Sequence, residues 1–294
     1  MDTTALQAFV TVAETRSFSL AAEQLFLTQP AISKRIAVLE SELDIRLFDR
    51  IGRKISLTEA GRVLLPRAKH ILLELIDSQR LISNLSGRVE GQLNLGTSHH
   101  IGLHRLPSAL RNYTQRYPGV ALDLRFMDSE AACTAVEKGD LELGIVTLPL
   151  NAIANLLLIP IWDDPLDIVV SLDHPLANKS ALTPEFLAQY PAILPARGTY
   201  TREILEQAFA PLGIPLPVNL STNYLETIKM MVGIGLGWSI LPKTMLNDEL
   251  QNLQIDGINL HRTLGIVRHQ ERTLSNAAAA MIAQLQEEAK EKLP

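Results

Sequence analysis

Residues 18–43 read FSLAAEQLFLTQPAISKRIAVLESEL, and this stretch limits the fold of the chain most. Ser19 is a suitable N-cap for a short helix over 20–26. Thr28 can cap a second helix, with Pro30 in its first turn, where a missing N–H is tolerated. In that second helix Ile32, Ile36, Leu39 and Leu43 recur at spacings of four, three and four, which makes one apolar face. The other face starts with Gln29, Pro30, Ser33, Lys34 and Ala37, short or polar side chains with one cation among them. A helix-turn-helix needs this division, with one face on a core and the other end against base edges. Taken alone, the stretch fits an ordinary amphipathic helix pair equally well.

The flanks favour the first reading. Leu6, Phe9, Val10 and Ala13 mark a preceding helix that can complete a small core. Residues 47–57 place two short apolar alternations around a turn at Gly52, with Arg50, Arg53 and Lys54 close by. That is the pattern of a β-wing suited to phosphate or the minor groove. Thr58 then caps a long helix.

These residues resemble the winged helix-turn-helix of the LysR-type transcriptional regulators. The matching positions are Phe9, Ala13, Ser17-Phe18, Ala21-Ala22, Leu25, Thr28-Gln29-Pro30-Ala31, Ser33, Leu39-Glu40, Leu43, Leu47-Phe48, Arg50, Leu57-Thr58 and Gly61. The length and the layout of the second half resemble the family as well. The resemblance implies an α/β multidomain fold: a winged helix-turn-helix, a long linker helix, and a two-lobed effector domain similar to periplasmic solute-binding proteins. It also implies a homodimer within a homotetramer, double-stranded DNA and a small-molecule effector as partners, RNA polymerase as a further partner, and no metal or cofactor.

A net charge of −5 is unusual for a DNA-binding chain, but it is unevenly placed. Residues 1–87 hold 11 basic and 10 acidic side chains, whereas 88–294 hold 16 and 22. DNA binding must therefore come from a local basic face rather than bulk attraction. Cys133 is the only cysteine, which excludes an intrachain disulfide and is compatible with a reducing compartment. With no signal-peptide pattern at the start and no membrane-length apolar run, the expectation is a cytoplasmic protein without a membrane partner.

Residues 58–87 read as one helix, bent at Pro66. Leu64, Ala68, Ile71, Leu75, Ser78, Ile82 and Leu85 follow the four-three spacing of a coiled-coil seam. A second subunit is the economical partner for it; packing on the chain's own effector domain is the alternative. Gly87 and Gly91 bracket a short hinge. After it come strands over 92–96, 121–127 and 141–148 with helices over 103–117 and 129–139, which predict an open parallel sheet. Residues 157–162 predict a crossing segment. A second unit has strands over 166–171, 192–195 and 218–222 and helical parts over 201–212, 224–232 and 242–246; residues 263–269 cross back, and 274–292 form a closing helix. The expected domains are 1–62 for DNA binding, 63–90 for the linker and hinge, and 91–294 for effector binding. Within the last, lobe I takes about 91–161 and 267–294 and lobe II about 162–266.

In such sheets ligands sit beyond the carboxyl ends of the strands. Thr97, Ser98, His99 and His100 leave the first strand and enter a helix, where N–H groups and hydroxyls suit an anion. Capping alone is the other explanation for Thr97 and Ser98. Thr147 ends a strand, and the 197–202 turn offers Arg197, Thr199, Thr201 and Arg202, each Arg being either an anion ligand or a solvated surface charge. Asp128 would repel an anion and reads as structural. His100 and His104 share a helical spacing, but no Cys or carboxylate lies close in sequence, so no metal is expected. Residues 232–238 are not a nucleotide loop, because their glycine spacing is not GxGxxG. Glu142 stands where the family usually has Asp, with little consequence expected.

On the DNA side, Gln29, Pro30, Ser33 and Lys34 are expected to face the major groove, and Arg50, Arg53 and Lys54 to serve the wing. Arg35 is expected to touch phosphate or to pair with Glu40 or Glu42. Two rivals are a stand-alone solute-binding protein and an enzyme with an appended DNA-binding domain. Residues 1–62 argue against the first, and the lack of any nucleophile–base–acid order, GxSxG or P-loop against the second.

Overall fold

The computed structural model describes residues 1–51, 54–179 and 182–291. It divides into two compact units, Met1–Ser86 and Gly87–Pro294.

The first unit runs α1 (Thr3–Thr15), α2 (Phe18–Gln24), α3 (Gln29–Leu43), β1 (Phe48–Ile51), β2 (Lys54–Leu57) and α4 (Glu59–Asn84). Its core gathers Leu6, Phe9 and Val12 from α1, Phe18, Ala21 and Ala22 from α2, and Ile32, Ile36 and Leu39 from α3, with Leu47, Phe48 and Ala68. Helix α2 starts two residues earlier than its sequence suggests. Ser17, not Ser19, is the cap, and its Oγ accepts the Leu20 N–H at 3.3 Å. This places Phe18 on the buried face and ends the helix before Phe26, which stands in the inter-helix turn at φ 53° and is 96% exposed. Thr28 caps α3 by accepting the Ala31 N–H, and Thr58 caps α4 by accepting the Gly61 N–H at 3.0 Å. A side chain at Gly61 would put its Cβ 2.3 Å from the Leu47 carbonyl oxygen, so only glycine lets α4 begin this close to the strand entry. β1 and β2 pair antiparallel from Phe48 opposite Leu57 to Ile51 opposite Lys54. Along α4, Leu64 and Ala68 pack into the core, while Ile71, Leu75, Ile82 and the C-cap Leu85 are exposed.

The second unit begins with β3 (Gly91–Thr97), α5 (His99–His104), α6 (Leu106–Arg116), β4 (Val120–Phe126), α7 (Ser129–Lys138) and β5 (Leu143–Thr147). It continues with β6 (Leu156–Ser171), α8 (Pro184–Leu187), β7 (Ala192–Leu194), α9 (Tyr200–Phe209), β8 (Val218–Ser221) and α10 (Leu225–Gly233). Then come β9 (Ser239–Pro242), β10 (Leu250–Leu253), β11 (Leu260–His269) and α11 (Asn276–Glu291). The seven-stranded sheet has the order β10-β6-β11-β5-β3-β4, with β9 beside β6, and β7 pairs with β8 separately.

Four features differ from the sequence expectation. The helix expected over 103–117 is two helices broken at Arg105, because Pro107 opens a new first turn. The expected crossing segment and the strand after it are one strand, β6, despite Pro160 and Pro165. A register shift between Leu264 and Gly265 accommodates Pro160, and a Cβ at Gly265 would meet the Ile159 carbonyl oxygen at 2.3 Å. The sheet is mixed: β4, β3 and β5 are parallel, while β11 runs antiparallel to both β5 and β6. Residues 239–242 are strand β9, followed by a single 3-10 turn at Lys243–Met245.

Lobe I is packed around Leu93, Leu95, Ile101, Leu143, Ile145 and Leu264, and is closed by Ala277, Ala278, Met281 and Leu285 of α11. Lobe II is packed around Ile168, Val170, Leu194, Leu205, Phe209 and Trp238. Strands β6 and β11 run through both, paired from Leu166 opposite Leu260 to Leu156 opposite His269. Glu142 matters more than expected: it is buried, and its Oε1 accepts the Ser275 N–H at 2.7 Å, holding the turn before α11.

Candidate functional site

The first unit presents one polar helix face. On α3, Gln29, Pro30 and Lys34 are exposed and Ser33 and Arg35 half-buried, opposite the buried Ile32, Ile36 and Leu39. Gln29 Nε2 donates to Ser33 Oγ at 2.9 Å, which orients both side chains one turn apart. Glu40 and Glu42 do not pair with Arg35. Glu40 Oε1 accepts the N–H groups of Leu47 and Phe48 at 2.6 and 3.2 Å, and Glu42 Oε2 meets the N-terminal ammonium at 2.9 Å. Arg50 and Lys54 belong to β1 and β2 of the wing, and Arg53 lies outside the described residues.

The second unit holds a cleft lined from both lobes. Ser98, His99, His100, Ser129 and Thr147 contribute from lobe I, Thr199, Thr201 and Asn223 from lobe II, and Arg262 from β11 between them. The free space in it is about 50 Å³, on the order of one or two waters, and the lobes touch each other across it. Two contacts along this cleft bridge them. Asn223 Nδ2 donates to Asp128 Oδ2 at 2.8 Å, and the Tyr200 N–H donates to Glu130 Oε1. Burial pushes the Glu130 carboxyl above its ordinary range, with that N–H acting in the opposite sense. Asp128 thus has the structural role its sequence suggests, though its partner lies in the other lobe.

Arg262 supplies the positive charge in the cleft. It sits directly opposite Asp164 in the β6–β11 register and is almost fully buried. Its Nε donates to Asp164 Oδ2 at 2.8 Å and its Nη1 to Thr201 Oγ1 at 2.9 Å. Its Nη2 has no hydrogen-bond partner. Asp164 is also held by Arg105 Nη2 at 2.9 Å, so one buried carboxylate faces two guanidiniums. Burial lowers the Arg262 pKa against the opposing pull of Asp164, but a guanidinium stays charged. Among these three groups the balance is one positive charge with an open donor, while the carboxylates of Asp128 and Glu130 line the same cleft. His100, only 4% exposed, also has both ring nitrogens without a hydrogen-bond partner. Burial, with Arg262 adding to it, pushes its pKa down to about 4, so at neutral pH it is an uncharged imidazole.

The expected effector residues divide. Ser98, His99, His100, Thr147, Thr199 and Thr201 line the cleft. Ser98 occupies the N-cap position of α5, but its side chain makes no capping bond, which leaves the hydroxyl to the cleft. Three do not line it. Thr97 is fully buried, and its Oγ1 donates to the Ile145 carbonyl at 2.8 Å, tying β3 to β5. Arg202 is turned along α9 to Glu206 at 2.8 Å, its fourth neighbour, and is buried there. Arg197 has a side chain 88% exposed, 3.9 Å from the same carboxylate. The cation expected from the 197–202 turn thus comes from β11.

Arg262, Asp164 and Asn223 were missed in the sequence, and so was Glu226, which stands 3.0 Å from His104. One signal for Arg262 was available. It shares a strand face with Leu260 and Leu264, so period-two alternation puts a guanidinium among buried positions.

Two family descriptions match the chain: "Bacterial regulatory helix-turn-helix protein, lysR family" over residues 3–62 and "LysR substrate binding domain" over residues 86–290. The HTH-type transcriptional activator CmpR of Synechocystis is 30% identical over 281 residues, covering 94% of this chain and 92% of that one. Full-length OxyR from Pseudomonas aeruginosa superposes with a TM-score of 0.71 at 24% identity, over 99% of this chain and 95% of that one. The regulatory domain of CcmR from Synechocystis, solved in complex with 2-PG, gives a TM-score of 0.62 at 26% identity, over 69% of this chain and 99% of that one.

Proposed function

The chain belongs to the LysR family of DNA-binding, effector-controlled transcriptional regulators, and from that membership we propose how its own residues divide the work. Residues 1–62 read double-stranded DNA, 63–90 join two chains, and 91–294 sense a small anion. Gln29, Pro30, Ser33 and Lys34 enter the major groove, and Arg35, Arg50, Arg53 and Lys54 meet the backbone or minor groove. The chains act as homodimers within a homotetramer, and RNA polymerase receives the output. The relatives are regulators of transcription, and the reading needs no catalytic step.

The observation that carries the sensor reading is Arg262: a buried cation in the cleft with one donor unpartnered. Beside it stand the hydroxyls of Ser98, Thr147 and Thr201. A carboxylate or phosphate supplies the acceptor this arrangement lacks. The 2-PG complex of CcmR supports a small ligand at this kind of domain. Helix α5 has six residues, so its dipole is a minor contributor beside a full guanidinium charge. Because the lobes touch across the cleft, a ligand of this class has to part them, breaking the Asp128–Asn223 bridge and putting its own contacts in its place. It shifts the balance only by its differential affinity for the two states.

A thermal-shift screen of organic acids, amino acids and their phosphates identifies the effector. Ser98→Ala then weakens effector binding about tenfold, the loss of one hydrogen bond to a charged group. Operator binding of the same variant stays at wild-type strength. Calorimetry and an operator titration read the two effects; wild-type effector affinity in Ser98→Ala removes this residue from the site, and an effector that is cationic or wholly apolar removes the anion reading. On the DNA side, Lys34→Ala lowers operator affinity and flattens its salt dependence, because one cation is removed from the groove. An unchanged slope means Lys34 does not face the DNA.

A further inference from the structure

Helix α5 carries His100 and His104 one turn apart, with ring centroids 4.8 Å from each other. Across the cleft, in the first turn of α10, stands Glu226. His104 Nε2 lies 3.0 Å from Glu226 Oε1, and His100 Nδ1 lies 3.8 Å from the same oxygen. One ligand atom from each residue falls within 4.8 Å of the others. The two histidines alone carry no site, because their local sequence offers no third ligand. The fold supplies it from a helix of the other lobe, 122 residues away in the chain.

We propose that His100, His104 and Glu226 form a binding site for a divalent transition-metal ion of the zinc type, which clasps lobe I to lobe II. Two imidazoles and a carboxylate are a complete three-protein-ligand set for such an ion, and the fourth position stays open to water. Around a tetrahedral ion at ligand distances of about 2.0–2.2 Å the donor atoms stand roughly 3.4 Å apart. The present spacings reach that after a shift of about an ångström. His104 and Glu226 are partly exposed and free to make it, whereas His100 is fixed by its burial.

A second observation points the same way. Both His100 ring nitrogens are buried without a hydrogen-bond partner, although such atoms are nearly always satisfied in folded proteins. His100 Nδ1 stands 3.8 Å from Glu226 Oε1, beyond hydrogen-bond distance, so its lone pair is open to an ion. Arg262 and Arg105 are the opposing cations, and both are engaged by Asp164. With the ion on Nδ1, the His100 proton is placed on Nε2, giving the cleft one more fixed donor. This site does not depend on the effector reading: it needs no ligand in the cleft and no DNA.

The test uses the full-length protein, stripped with a chelator and dialysed, then titrated with Zn2+ by calorimetry and with Co2+ by visible absorption. One equivalent binds per chain, and Zn2+ raises the melting temperature of the second unit. His104→Gln and Glu226→Gln each weaken binding by more than the roughly 10–100-fold typical of losing an outer-shell partner, and both lose the melting shift. Both positions are partly exposed, so the metal-free variants melt like the metal-free parent. A His70→Gln, His261→Gln double variant, which removes two exposed histidines elsewhere, keeps full binding. Absence of saturable binding in the parent, or unchanged binding in both cluster variants, overturns the proposal.

Discussion

Replacing Arg262 by Met removes effector response and lowers the stability of the second unit together. Arg262 is buried, pairs with Asp164 and Thr201, and keeps Nη2 for a ligand. Truncating one partner of a buried charge pair generally costs about 3–5 kcal/mol, because the other charge is left uncompensated. Here Asp164 keeps Arg105, so the lower end, about 3 kcal/mol, is expected. Effector affinity falls by about a hundredfold or more, as for loss of a buried charge-assisted contact. Arg262→Lys separates the two effects. It retains the charge beside Asp164 and so most of the stability, but lacks the fork that reaches Asp164, Thr201 and a ligand at once. Urea unfolding of the 87–294 unit reads the first effect and effector calorimetry the second. Wild-type effector affinity in either variant takes Arg262 out of the binding site.

Leu75→Asp separates the chains. On α4 and its C-cap the outward row is Ile71, Leu75, Ile82 and Leu85, which are 36%, 41%, 70% and 86% exposed within a single chain. Leu64 and Ala68, on the same spacing, already pack into the chain's own core. The seam is thus half-used within the chain, and its distal half is left for another surface. In a two-fold dimer one substitution places two carboxylates at the same interface. An unpaired buried carboxylate costs several kcal/mol, so the dimer dissociation constant rises by about a thousandfold or more. Sedimentation shows the smaller species, and operator affinity falls with it, while the core of the first unit melts as before. An unchanged native mass would show that this row does not join two chains.

The DNA-reading half was legible because its signals are local. Caps, a four-three apolar spacing and a short alternation around a turn all lie within a few residues of what they determine. Even there Ser17 displaced Ser19 as the cap, because Phe18 has to be inside. The cleft was half legible. Strand-end topology pointed to Ser98, Thr147, Thr199 and Thr201, since their position follows from the order of elements alone. Arg262 was not found, because its meaning depends on Asp164, 98 residues away and on a strand the prolines disguised. Arg197 and Arg202 drew attention as cations in the right turn, yet helical geometry ties Arg202 to Glu206 one turn on. Glu226 escaped for the same reason as Arg262: nothing near it in sequence names its partner.

The route of the chain sets an order of manufacture. Lobe II is inserted between β6 and β11, and lobe I is closed by Ala277, Ala278, Met281 and Leu285 of α11. During synthesis the helix-turn-helix emerges before the second unit and can fold on its own contacts. Lobe I waits, with β3, β4 and β5 already made but one face of its sheet uncovered, until α11 leaves the ribosome. A nascent chain therefore holds a finished reading head before it holds a sensor. Premature stops between residue 90 and the closing residues of α11 are of one kind in this respect: they release the helix-turn-helix without a completed lobe I.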